Sequence, residues 1–245
     1  VNEPFDVSPY AHGTFQFFLR NPICQEMGRK FKISFSSSDE DTALSYIHDL
    51  GFIAKLKDGK RGFKVMLGGG LGSQPRHADE LYDFLPVEET LPLIEGVLRV
   101  FDRYGERAKR LKARMKFLVK DIGKEAFMEL VAEQNTALSK NHPKFEVEKF
   151  ETAPPLQDVE VPAVTIEDKK DFETWKNTNV LPQKQEGLFA VGIRVPLGDF
   201  YTGGARKLAD LVKKYAGNEI RLSLRQDILI RHVREEFLPF FYSEL

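Results

Sequence analysis

Apolar and polar positions alternate with a period of two along Lys30–Phe35. Phe31, Ile33 and Phe35 fall on one side and Lys30, Lys32 and Ser34 on the other. This is the pattern of a half-buried strand, and it sends two ammonium groups off one face roughly 7 Å apart. Like charges that close repel, so a fold that keeps them together usually offers them an anion or a pair of carboxylates. An edge strand that carries lysines against aggregation has the same pattern.

Before this strand, Ser8-Pro9 reads as a helix start, with serine as N-cap and proline at the first helical position. Tyr10–Arg20, with Phe15, Phe17, Phe18 and Leu19, is then a buried helix that stops near Asn21-Pro22. After it, Asp39-Glu40-Asp41 predicts a helix to Leu50, acidic at its positive end and closed by Gly51. Phe52–Leu56 and Phe63–Leu67 flank Asp58-Gly59 as a hairpin. An amphipathic helix follows from about Glu88 to Tyr104, and another from Lys124 to Leu138.

From 139 to 183 periodicity fades and five prolines appear, which predicts an extended linker with one short helix near Trp175, packed by its indole. Gly187–Val195 then reads as a strand and Gly204–Tyr215 as a helix with Leu208, Leu211 and Val212 inward, closed by Gly217. Strands at Ile220–Leu224 and Ile228–Val233 and a helix from Glu235 to Leu245 complete a β-α-β-β-α run. The class is α+β rather than a doubly wound sheet. The expected division is a first domain at 1–138, the linker at 139–183, and a ferredoxin-like half-domain at 184–245.

Composition narrows this modestly. The chain has 245 residues, 42% of them apolar, and a net charge of −1, so the whole molecule carries no field for a polyanion. No apolar run approaches a membrane span and no signal peptide precedes the first strand. The first residue is Val1 rather than Met, which predicts a fragment. A single cysteine, Cys24, excludes an intrachain disulfide and any multi-cysteine metal site, and fits a reduced cytoplasmic compartment.

Charge is uneven, however. Arg99–Lys120 holds nine basic residues against Asp102 and Glu106. Leu111, Met115, Leu118 and Ile122 read as one helical stripe, with Arg107, Arg110 and Arg114 on a neighbouring face. Gly68-Gly69-Gly70-Leu71-Gly72 allows close backbone approach to a ligand, but it lacks the Gly-Lys-Ser/Thr of a P-loop and does not fit the dinucleotide fingerprint.

Arg29-Lys30-Phe31-Lys32 resembles the Pro-Arg-Lys-Phe-Lys segment of the siroheme-dependent nitrite and sulfite reductases, with Gly28 where the family commonly has proline. Gly105–Phe117 resembles that family's arginine-rich helix. Pro182-Gln183-Lys184-Gln185, Arg194–Asp199 and Arg221–Asp227 resemble its second ferredoxin-like repeat. These segments occur in the family's order over nearly the whole chain.

The resemblance implies a reductase that takes nitrite or sulfite through six electrons to ammonia or sulfide, using siroheme and a [4Fe-4S] cluster, with ferredoxin or a flavoprotein as electron donor. It implies that Lys30 and Lys32 hold the oxyanion. Arg29, Gly68, Gly69, Gly70, Arg107, Arg110, Arg114, Lys116, Arg221, Arg225 and Gln226 would hold siroheme, whose carboxylates suit guanidinium forks. In the family a first ferredoxin-like repeat precedes this region and four cluster cysteines follow it, so this chain alone is expected to bind neither cofactor and to be inactive. No nucleic-acid or membrane partner is expected. A non-enzymatic polyanion (RNA) module is the competing reading, although the sheet lacks an aromatic stacking pair. A degenerate structural copy of the reductase half is a third.

Overall fold

The computed structural model describes residues 3–137, 142–147 and 156–245. They form two compact units, Asn2–Glu151 and Thr152–Leu245.

In the first unit β1 (Ile33–Ser36), β2 (Leu50–Lys57), β3 (Lys60–Leu67) and β4 (Asp79–Pro86) form one sheet in that order. β1 runs parallel to β2, and the other pairs are antiparallel. Asp58 and Gly59 close the β2–β3 hairpin with φ of 51° and 72°, the left-handed pair that matches strand twist. Leu50, Phe52 and Ala54 of β2 and Phe63, Val65 and Leu67 of β3 alternate onto one face. There they meet Ile94, Val97 and Phe101 of α2 (Thr90–Tyr104). α1 (Ser8–Phe18) and α4 (Lys124–Ala137) contribute Tyr10, Phe127 and Val131 to the same core. On the opposite face Ile53 and Met66 pack with Ala78 and Tyr46.

The second unit has an antiparallel sheet ordered β5 (Val180–Pro182), β6 (Leu188–Ile193), β8 (Ile228–Arg234), β7 (Ile220–Leu222). Leu208 and Val212 of α6 (Thr202–Tyr215) and Phe241 of α7 (Leu238–Glu244) bury against Val191, Ile230 and Val233. This is the expected β-α-β-β-α run. α5 (Lys169–Asn179) and β5 lie within the stretch expected as linker. Trp175 of α5 packs on Phe172 and Tyr242, which is the plain packing role anticipated for it. The rest of that stretch falls partly outside the described residues, as does Leu138.

Several local expectations differ. No helix runs from Asp39 to Leu50. Asp41 and Leu44 have left-handed φ, the Asp41 side chain accepts the Ser45 N–H, and only a 3₁₀ turn at Ser45–Ile47 forms. Gly51 is not a helix stop but lies inside β2, where a Cβ would collide with Ser45. The helix expected to carry Leu111 and three arginines is broken. A 3₁₀ turn at Arg110–Lys112 precedes α3 (Met115–Ile122), and Leu111 is 88% exposed. In α1 the buried residues are Pro9, Tyr10 and Thr14, whereas Phe15, and Leu19 just past the helix end, are exposed. Ser8 is the first helical residue rather than the cap, with its N–H held by Asp6. β4 was not anticipated.

Candidate anion and cofactor site

The lysine pair lies just ahead of β1, not inside it. Lys32 is the residue before Ile33, and the backbone on both its sides is held. Its N–H donates to Asp49 Oδ2 at 2.9 Å, and its carbonyl accepts the Leu50 N–H at 3.2 Å. Lys30 and Lys32 are both exposed, and neither ammonium has an ion-pair partner among the described residues.

Asp49 is fully buried. Arg114, the residue that leads into α3, donates Nη2 to Asp49 Oδ2 at 2.7 Å and Nε to Oδ1 at 3.3 Å. Burial pushes the Asp49 carboxyl up, while the Arg114 guanidinium and the Lys32 amide pull the other way. A guanidinium fork on a buried carboxylate is the geometry that offsets the desolvation of both charges.

The glycine segment joins the same cluster through its backbone. Gly68 N–H donates to the Asp49 carbonyl at 2.8 Å and Gly69 N–H to the His48 carbonyl at 2.9 Å, so neither amide is left for a ligand. Gly68 has φ of 78°. A Cβ on Gly69 would sit 2.5 Å from the Tyr46 carbonyl oxygen, so close approach is what requires glycine there. Arg76 braces the loop from one side, with Nη1 on the Gly68 carbonyl at 2.8 Å and an ion pair to Asp79. Lys116 braces it from the other, donating to the carbonyls of Leu71 and Gln74. Burial, then the nearby Arg114, pushes the Lys116 ammonium down.

The structure therefore brings Lys32, Gly68–Gly70, Arg114 and Lys116 together, with Asp49 as the link. Arg107 is engaged elsewhere. It pairs with Asp102 and donates to the Glu26 carbonyl at 3.0 Å, packing beneath Gly28 ahead of half-buried Arg29. Arg110 is exposed, without an ion-pair partner among the described residues. Arg221, Arg225 and Gln226 belong to the second unit. Arg221 pairs with Glu219 at 2.6 Å, and the Ser223 hydroxyl accepts the Arg225 and Asp227 N–H groups to shape the turn. Gln226 takes a left-handed φ of 66° there.

Sequence reasoning missed Asp49 and Arg76. Asp49 directly precedes the apolar run Leu50–Ala54, and an acid at the mouth of a buried strand needs a cation. That was the available signal. Arg76 pairs only three residues on and gave none.

Residues 2–138 match the family model described as the nitrite and sulphite reductase 4Fe-4S domain. Residues 181–245 match the nitrite/sulfite reductase ferredoxin-like half domain. The chain is 29% identical over 238 residues to a chloroplastic ferredoxin–nitrite reductase of Arabidopsis thaliana, covering 94% of this chain and 37% of that protein. It is 31% identical over 218 residues to a ferredoxin–nitrite reductase of Synechococcus elongatus, covering 88% and 38%. The solved structure of the Mycobacterium tuberculosis NirA protein superposes with a TM-score of 0.75 at 24% identity, over 99% of this chain and 40% of that one. The chain thus spans well under half the length of these relatives. The polyanion-binding alternative gains no support from these matches. Among the described residues no helix is long and apolar enough to cross a membrane. With both units matched in order, the chain belongs to the nitrite and sulphite reductase family.

Proposed function

We propose that this chain is the part of a siroheme reductase in which Lys30 and Lys32 bind the oxyanion, with nitrite favoured over sulfite and ferredoxin as electron donor. The names of the nitrite reductases it resembles support the substrate and the donor. One observation carries the reading. Two exposed ammonium groups, without ion-pair partners among the described residues, lie just ahead of β1, and the backbone of one of them, Lys32, is clamped by a fully buried carboxylate. Exposed cations left unneutralised beside a rigid strand are suited to a small anion.

The residues present fit siroheme in part. Lys30, Lys32, half-buried Arg29 and exposed Arg110 are cations open to carboxylates, while Arg107, Arg114 and Lys116 are engaged within the chain and act as bracing. They do not fit a [4Fe-4S] cluster, since the chain has one cysteine and burial pushes the Cys24 thiol up, away from the thiolate a cluster needs. When bound, siroheme would supply a redox-active iron through which the donor's electrons reach the oxyanion. Lys30 and Lys32 neutralise the anion, hydrogen-bond its oxygens and hand over protons as oxygen departs as water.

In the complete protein, Lys30→Ala and Lys32→Ala are each expected to weaken nitrite binding by about 1.5–3 kcal/mol, the worth of a charged hydrogen bond. Siroheme content, read as its absorbance against protein, should hold. Wild-type kcat and KM in both variants would remove the assignment.

A further inference from the structure

We propose that Asp49 is a positioning residue for the substrate lysine Lys32, and that Arg114 acts through Asp49 rather than on a cofactor carboxylate. The inference rests on the reading of Lys30 and Lys32 as the oxyanion site and adds what holds Lys32 in place.

The Lys32 side chain is exposed and makes no hydrogen bond or ion pair among the described residues, so its direction is set by its backbone. That backbone leaves the regular ladder here, because pairing with β2 begins at Ile33↔Leu50. The carbonyl of Lys32 is still caught by the Leu50 N–H, but its N–H has no strand partner and is taken by the Asp49 carboxylate. Asp49 thus extends the ladder by one side-chain rung, at the residue that must aim an ammonium.

The carboxylate is itself fixed by Arg114, whose Nε and Nη2 take one oxygen each. The Arg114 side chain is only 14% exposed, and two of its donors are consumed in the fork. The backbone of Asp49 adds a third tie, since its carbonyl accepts the Gly68 N–H at 2.8 Å. One buried residue therefore sets the lysine segment, the glycine loop and the entry to α3 against one another. The pair is also neutral as a whole, so it orders the site without cancelling the positive charge that the two lysines present to an anion.

Three variants separate positioning from simple support. Asp49→Asn keeps an acceptor oxygen for the Lys32 N–H. Asp49→Leu combined with Arg114→Met removes the acceptor while leaving no buried charge unpaired, an exchange that folds commonly tolerate. Lys32→Ala reports on the reading beneath the proposal. In the 245-residue chain, hydrogen exchange at the Lys32 amide should accelerate at least about tenfold in the apolar pair, as expected when a buried donor loses its acceptor, and stay near wild type in Asp49→Asn.

In the complete protein with siroheme content unchanged, the apolar pair should raise KM for nitrite about tenfold, the scale of a misplaced binding group, and Asp49→Asn should raise it no more than about twofold. Placed in a Lys32→Ala background, the apolar pair should have no further effect on KM, because the two changes act through one contact. An undiminished effect in that background, or unaltered exchange at the Lys32 amide, overturns the proposal. If Lys32→Ala itself leaves KM unchanged, the substrate assignment fails instead, and the exchange result still decides whether Asp49 holds the strand. Should the apolar pair not fold, Asp49→Asn decides alone: a tenfold rise in KM with the amide still protected would overturn positioning by the hydrogen bond.

Discussion

His232 is 2% exposed, has a left-handed φ of 60°, and neither of its ring nitrogens has a hydrogen-bond partner among the described residues. It occupies a bulge, where β8 places two residues opposite one of β6 between Val191↔Ile230 and Phe189↔Val233. Burial, then the Arg231 charge, pushes its pKa below the usual histidine value, against the opposing pull of Glu219. The sign follows from linkage. The unfolded chain binds a proton near pH 6.5 that the folded one resists, so this contribution to stability is full above that pH and is lost as pH falls below it. Asparagine tolerates the left-handed backbone and does not titrate. Thermal unfolding of His232→Asn should therefore lose part of the decline in Tm that wild type shows between pH 7 and about pH 5. Parallel curves for the two proteins would sink the assignment. At Arg114 the burial problem is solved by pairing instead. Arg114→Met leaves the buried Asp49 carboxylate without its counter-charge, held only by the Lys32 amide, and should cost about 3–5 kcal/mol in a denaturant titration, with a cost under about 1 kcal/mol placing the pair among weak surface bridges.

At the scale of elements, the glycine segment divides into positions with different physics. Gly69 is hemmed in by the carbonyls of Tyr46 and His48, whereas Gly72 has φ of 110° with nothing near its missing side chain. Gly69→Ala must move backbone and should destabilise the first unit by about 1–3 kcal/mol or more, as overpacking does. Gly72→Ala meets backbone strain only, about 1–2 kcal/mol. Equal melting temperatures for Gly69→Ala and wild type would mean the loop does not pack where it is described.

The same contrast explains what the sequence made legible. The Asp58-Gly59 hairpin and α2 were readable because turn chemistry and a 3.6-residue stripe are local. The Asp39–Leu50 helix was misread because its acidic start resembled a cap. In fact Asp41 holds a turn, and Asp49 answers to Arg114, 65 positions away. β4 was missed because register shifts against β3 break its alternation. At Arg107–Arg114 a spacing of three and four imitated a helix face, while each arginine had a separate environment. Pattern and family wording single out Lys30 and Lys32, but the two lie just ahead of the strand that the alternation assigns them to.

For the whole molecule, the decisive count is cysteine. A [4Fe-4S] cluster takes four thiolates, and this chain has only Cys24, so it cannot build one from its own side chains. It does retain Lys30, Lys32 and Arg110, exposed cations without an ion-pair partner among the described residues. The purified 245-residue chain is therefore expected to be colourless, free of stoichiometric iron, and inactive toward nitrite and sulfite. Its free cations should instead collect small anions. Because a ligand that binds only the folded state stabilises it by mass action, about 2.7 kcal/mol at a hundredfold excess over Kd, sulfate or phosphate should raise Tm above the value in chloride at equal ionic strength. Lys30→Ala combined with Lys32→Ala should remove most of that difference, while His232→Asn, in the other unit, should leave it intact. A siroheme absorption band with stoichiometric iron in the purified chain would show that far more of the cofactor site resides here than its residues suggest. A sulfate effect undiminished in the lysine variant would move the anion site away from β1.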